Sequence, residues 1–166
     1  GVCYDPARRG IDYIWDGDFV DRRATWTAKH GSAQKELASK IFGPTFYTES
    51  LAPTLHTGTP KLENYKFLGY RVDAGVPELK YTIGDRLVHE SLHPLSGGTG
   101  IERRFRVGSG HDVMVLELQS QKDSEIEVHG ALPKENAGDK GHTVSFDSPS
   151  GGEFSVTIRS KRHPAP

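Results

Sequence analysis

Tyr65-Lys66-Phe67-Leu68-Gly69-Tyr70-Arg71-Val72, then Asp73-Ala74-Gly75, then Val76-Pro77-Glu78-Leu79-Lys80-Tyr81-Thr82-Ile83 is the stretch that decides the fold. The first run is aromatic and β-branched, which suits a pleated, half-buried surface, and Asp73-Ala74-Gly75 suits a short hairpin loop with a left-handed position. In the second run Leu79, Tyr81 and Ile83 share one face while Glu78, Lys80 and Thr82 share the other. Gly84-Asp85 is the pair that a type II′ turn prefers. Arg86 to Leu92 continues the pattern. Past Gly97-Gly98-Thr99-Gly100, Ile101, Phe105 and Val107 alternate with Glu102, Arg104 and Arg106, and Val113 to Leu118 is almost wholly apolar. The spacing predicts five consecutive strands of one sheet, on which the remainder packs.

The third of these strands contains His89-Glu90-Ser91-Leu92-His93, the H-E-x-x-H spacing of zinc peptidases. That chemistry needs a helix, which sets the two imidazoles one turn apart and the glutamate beside the metal-bound water. Pro94 disfavours helical geometry at His93, and both flanks carry strand period. Only Glu102 or His111 offers itself as a third ligand. A metal site through His89 and His93, which share a strand face, remains as an alternative.

The chain has 166 residues, enough for one domain with a continuous core, and we assign residues 1–160 to it and 161–166 to a linker or tail. Nineteen glycines, ten prolines and one methionine favour many turns over a helical bundle. The net charge of −1 gives no general attraction to nucleic acid, and no apolar run is long enough to insert in a membrane. The basic pairs Arg8-Arg9, Arg22-Arg23, Arg103-Arg104 and Lys161-Arg162 read as solvated surface. A single cysteine, Cys3, excludes an internal disulfide.

Residues 1–30 hold both tryptophans. Ile11, Tyr13 and Trp15 are expected on one strand face, Asp12, Ile14 and Asp16 on the other, with Gly17 permitting a turn or bulge. Aromatic faces stack on sugar rings and carboxylates accept hydrogen bonds from their hydroxyls, so Trp15, Asp16, Asp18 and Trp26 form a candidate carbohydrate surface, joined by Tyr70 and Arg71. Asp16-Gly17-Asp18 lacks the later ligands of a calcium loop. Ser32 to Phe42 is the one expected helix, capped by Ser32 and stopped by Gly43-Pro44. Residues 44–63 read as an extended crossover and 133–141 as a polar loop. Ile126 and Val128 mark a further strand, and His142–Phe146 with Phe154–Ile158 a final hairpin.

No G-x-S-x-G elbow, glycine-rich phosphate loop or C-x-x-C-H haem motif occurs. The eight histidines are otherwise scattered, and 22 acidic residues identify no glycosidase pair without distances.

Gly1-Val2-Cys3-Tyr4-Asp5, Trp15-Asp16-Gly17-Asp18-Phe19-Val20-Asp21 with Trp26 and His30, and Phe67-Leu68-Gly69-Tyr70-Arg71-Val72-Asp73 with Pro77-Glu78-Leu79-Lys80-Tyr81 carry a resemblance. With these residues the chain resembles an uncharacterised β-rich domain of large exported bacterial multi-domain proteins that also carry c-type cytochrome, sugar-dehydrogenase-like or glycoside-processing modules. The resemblance implies a periplasmic or extracellular setting, neighbouring domains in the same polypeptide and a structural or recognition role. It carries over no catalytic residue.

The expectation is therefore an all-β, mainly antiparallel β-sandwich of nine or ten strands, jelly-roll or galactose-mutarotase-like, with at most one short helix. The function expected is a non-catalytic, carbohydrate-interacting accessory module that needs no cofactor. The alternative is a sugar-active enzyme using Asp16, Asp18, His89, Glu90 and Arg71.

Overall fold

In the computed structural model the described residues are 1–17, 20–21, 40–41, 43–49, 54–58, 65–135 and 141–162. They form β1 (Val2–Asp5), β2 (Gly10–Trp15), β3 (Val20–Asp21), β4 (Lys40–Ile41), β5 (Thr45–Thr48), β6 (Leu55–Thr57), β7 (Tyr65–Asp73) and β8 (Val76–Ile83). After these come β9 (Arg86–Pro94), β10 (Gly100–Val107), β11 (Met114–Gln119), β12 (Ser124–His129), β13 (Leu132–Glu135), β14 (Gly141–Phe146) and β15 (Gly152–Ser160). The chain is an all-β sandwich of antiparallel sheets. A six-stranded sheet runs β12-β15-β10-β9-β8-β7, a four-stranded sheet β13-β14-β11-β6, a three-stranded sheet β1-β2-β5, and β3 pairs with β4. Among the described residues the helical structure is one 3₁₀ turn, Ser96–Gly98, and no helix is long and apolar enough to cross a membrane.

The hairpins form as their turn residues require. Asp73 pairs with Val76 around Ala74 (φ 48°) and Gly75 (φ 83°), two left-handed residues whose twist matches that of the strands. Ile83 pairs with Arg86 around Gly84, at φ 56°. A bulge between Phe67 and Gly69 interrupts β7. The inner faces of all three larger sheets meet in one core, where Phe154 stacks on Phe105 (centroids 4.5 Å) and on Phe146 of the facing sheet (5.2 Å).

Several expectations are corrected. The meander holds four strands, not five, because β11 crosses to the four-stranded sheet and lies between β14 and β6. His142–Phe146 and Phe154–Ile158 do not pair: β14 adds to β11 and β15 to β10. The expected crossover contains β5 and β6, set between Pro44, Pro53 and Pro60, with Phe46, Tyr47 and Leu55 buried. Leu132–Glu135 forms an edge strand, where Pro133, which has no N–H, is tolerated. In β2 a register shift at Ile14/Trp15 breaks the alternation and buries both side chains. Most of the expected helix lies outside the described residues, but Lys40–Ile41 is strand. Lys161 N–H donates to Asp123 O (3.0 Å) and Arg162 pairs with Asp123 (2.7 Å), so the first two residues of the expected tail are tied to the domain.

Arg86 explains why the chain leaves the meander after β10. Its buried guanidinium donates to the carbonyls of Asp112, Gly108 (3.1 Å), Gly110 (2.8 Å) and Ser148 (3.0 Å). One planar cation thus supplies donors to two of the loops that pass between the sheets, 108–112 and 147–151. Arg86→Ala removes this donor from all four carbonyls, of which Ser148 O keeps the Gly151 N–H, and is expected to lower the unfolding free energy by about 3 kcal/mol, read from urea denaturation. Arg86→Lys, with a compact ammonium in place of the fork, should recover less than half of that.

Candidate functional site

The strand pleat separates the H-E-x-x-H residues onto two sides. His89, Ser91 and His93 face outward from β9, while Glu90 is fully buried on the inner face. Glu90 therefore cannot act on water held by the histidines. Each ring has its own partner: His89 Nδ1 lies 3.2 Å from Glu78 Oε1, and His93 Nε2 lies 2.9 Å from Ser91 Oγ. Four residues of strand separate the two histidines by about 13 Å between Cα atoms. Among the described residues no three His, Cys, Asp or Glu side chains gather as a metal site.

On the inner side, Glu90 belongs to an ionic cluster around Arg103 of β10, also fully buried. Arg103 Nε donates to Glu90 Oε1 (2.8 Å) and Nη1 to Glu49 Oε1 (2.7 Å). Tyr81 and Tyr4 hydroxyls donate to Glu90 Oε2 at 2.7 and 2.9 Å. Glu49 Oε2 accepts from Ile11 N–H (2.6 Å) and Thr54 Oγ1 (3.2 Å), an approach left open by Gly10, where a Cβ would lie 2.3 Å from that oxygen. Burial works against the Arg103 charge, but Glu90 and Glu49 hold it above the ordinary arginine range. Burial, reinforced by Glu90, likewise pushes the Tyr4 and Tyr81 hydroxyls far up, so both remain donors.

The outer face of the six-stranded sheet is a grid of polar side chains in register. One row crosses all six strands: His129, Ser155, Arg104, Ser91, Glu78 and Arg71, each paired with the next. At about 4.8 Å per strand it spans about 24 Å. A second row places Glu153, Arg106, His89, Lys80 and Gly69 side by side, and a third Glu127, Thr157, Glu102 and His93. Over this grid lies an open cleft of about 740 Å³, extended toward β7 by a smaller one of about 400 Å³; both touch Arg71, Glu78, His89 and Arg106.

Ion pairs hold the grid. Glu78 takes Arg71 Nε (3.0 Å), His89 Nδ1 (3.2 Å) and Arg106 Nη2 (3.6 Å); Glu102 takes Arg104 Nη2 (2.7 Å). Partial burial works to raise the Glu78 carboxyl, but hydrogen bonds from His89 and Arg71 outweigh it and hold it below its ordinary value. The hydrogen bond from Arg104 holds Glu102 low as well. Desolvation, with the nearby Arg104 charge, lowers His93.

The sequence-derived candidates divide. Arg71 and His89 converge on Glu78 in the cleft. Tyr70 is 73% exposed on β7, at the margin of the smaller cleft. Trp15 is 3% exposed, packed against Gly1 and Tyr13, so its ring face is not offered to a sugar. Asp16 accepts from Ser160 Oγ (3.3 Å), a buried residue on the inner side of β15, and does not line the cleft. Asp18 and Trp26 lie outside the described residues. Glu78, Lys80, Ser91, Glu102, Arg104 and Arg106 were missed as a group. Their signal was the outward phase of the alternation in β8, β9 and β10. Comparisons with protein-family models, curated proteins and solved structures find no match to this chain.

The three shifted groups act on stability in one direction. Glu78 and Glu102 have folded values below 4.5, so the stabilisation they give is complete above that pH and is lost as pH falls through the folded values. His93, held below 6.5, charges more readily in the unfolded chain, so its share starts to be lost as pH drops below 6.5. Side-chain NMR titration should place both glutamate midpoints below 4.5 and that of His93 below 6.5. Glutamate midpoints at or above 4.5 would mean that their ion pairs do not form, and a His93 midpoint at or above 6.5 that its ring is not desolvated beside Arg104.

Proposed function

We propose that this chain is a non-catalytic, carbohydrate-interacting accessory module of a larger exported protein, and that the outer face of the six-stranded sheet is its ligand surface. The observation that carries the reading is the row from His129 to Arg71, a line of hydrogen-bond donors and acceptors along an open cleft. Arginine and carboxylate side chains present paired hydrogen-bonding atoms, and neighbouring sugar hydroxyls are matched by such pairs. The side chains are already fixed by their mutual ion pairs, which reduces the ordering cost of binding. The direct role first given to Trp15 passes to this face.

The non-catalytic part is supported by Glu78 and Glu102, both held ionised, whereas glycoside hydrolysis needs one carboxyl kept protonated. The alternative of a sugar-active enzyme has in its favour the meeting of Arg71 and His89 at Glu78. The periplasmic or extracellular setting, and neighbours such as a c-type cytochrome domain, rest on the resemblance carried by the first half of the chain.

Affinity electrophoresis through a panel of soluble polysaccharides tests the proposal. At least one should retard the protein, and Ser91→Trp, which fills the centre of the row, should weaken that retardation at least tenfold with an unchanged far-UV spectrum. Equal retardation of the variant would move the ligand surface elsewhere, and no retardation by any polysaccharide would remove the carbohydrate reading.

A further inference from the structure

Permanent cations gathered on one face of a sheet repel one another, so a cluster of them calls for a reason. Arg106, His89 and Lys80 stand side by side on β10, β9 and β8, and the next position in that row is Gly69, whose absent side chain leaves open space. Glu153 flanks Arg106 from β15 at the far end of the row. Arg71 enters the same place from the neighbouring row, where it reaches Glu78.

Three permanent cations, Arg71, Lys80 and Arg106, therefore line the smaller cleft against one carboxylate, Glu78. Their depths differ in a way that decides what a ligand meets. The Glu78 side chain is 18% exposed, while those of Arg71 and Arg106 are 65% and 56% exposed. The carboxylate is the floor that orients the guanidiniums, and the cationic heads are the surface. Beside them Leu68, carried out by the bulge in β7, and Gly69 form an uncharged margin against which a ring can lie.

We infer that the Arg71, Lys80 and Arg106 end of the groove is a subsite for the acidic group of a glycan, a carboxylate or sulfate borne on a sugar ring. This rests on the carbohydrate reading above and adds the ligand's charge class to it. The arginines suit such groups because a guanidinium meets two oxygens of either anion with parallel hydrogen bonds, and the lysine adds a charge that can follow the ring. The rest of the groove, with Arg104 paired to Glu102 and with Asp73 and Glu153 at its margins, balances positive charge with negative, so the acidic group is directed to the β7 end.

Titration calorimetry at one fixed ionic strength, with polygalacturonate and its fully methyl-esterified counterpart, isolates the charge on a single backbone. Dextran sulfate against dextran does the same for sulfate. At least one acidic polymer should bind at least tenfold more tightly than its neutral partner, and the pair that responds identifies the group. Lys80→Gln with Arg106→Gln should reduce the acidic polymer's affinity at least tenfold, whereas Lys122→Gln, an exposed lysine away from the cleft, should not. Equal binding of acidic and neutral partners, with both blocked by Ser91→Trp, would overturn the acidic subsite and leave the carbohydrate reading standing. Acidic binding that survives the Lys80/Arg106 replacement also overturns the subsite. No binding of any of the four polymers overturns it too, and the wider panel then decides the carbohydrate reading independently.

Discussion

One guanidinium in the middle of the core, that of Arg103, joins parts of the molecule that no single hairpin connects. It projects inward from β10, bonds Glu90 on the neighbouring strand β9, and reaches Glu49 at the end of β5 in the three-stranded sheet. Bringing three charges out of water carries a large desolvation cost, and attraction offsets it only where geometry is good and the remaining lone pairs are satisfied. Here Tyr4, Tyr81, Thr54 and the Ile11 N–H supply the additional donors. Such a cluster favours one arrangement of the sheets. A slip of β9 by one residue would bring Glu90 out to solvent and set His89 or Ser91, according to its direction, against Arg103.

The same phase that sends Glu90 inward sends His89, Ser91 and His93 outward, so the cluster and the cleft are two sides of one pleat. The outer grid gains from this. Its floor is central in the six-stranded sheet, bonded on both sides, and its side chains are held by one another rather than by a mobile loop. Side chains already held by mutual ion pairs would lower the ordering cost of any ligand that met this face.

The fold was legible where alternation and turn chemistry agreed. Leu79, Tyr81 and Ile83 inward with Glu78 and Lys80 outward is what the sequence pattern predicts, and the extended H-E-x-x-H segment follows from its flanks. The pairing of distant strands was not legible. Nothing local distinguishes a fifth meander strand from a crossover, because the crossover depends on Arg86 reaching carbonyls as far away as Ser148. Arg9 and Arg103 were read as solvated for a related reason: each stands beside another arginine, and only the strand phase at Arg103 and the fold of the β1–β2 turn at Arg9 (φ 58°) show that one member of each pair is buried. Arg103 occupies an inward position between Ile101 and Phe105, and that is the mark an ionic core residue leaves in a sequence. The candidate site was half visible: Arg71 and the histidines were singled out, but the register that aligns them with Glu78 and Arg106 is a property of strands paired in space.

Replacement of Arg103 by methionine tests the central cluster most directly. It preserves volume and strands two buried carboxylates without a cation, so urea denaturation at pH 7 should show a loss of about 3–5 kcal/mol. Because burial raises the Glu49 carboxyl and its protonation removes a stranded charge, the loss should be smaller at pH 4 than at pH 7. A loss below about 1 kcal/mol, equal at the two pH values, is the size expected of an exposed ion pair and would contradict a buried cluster that sets the phase of the sheet.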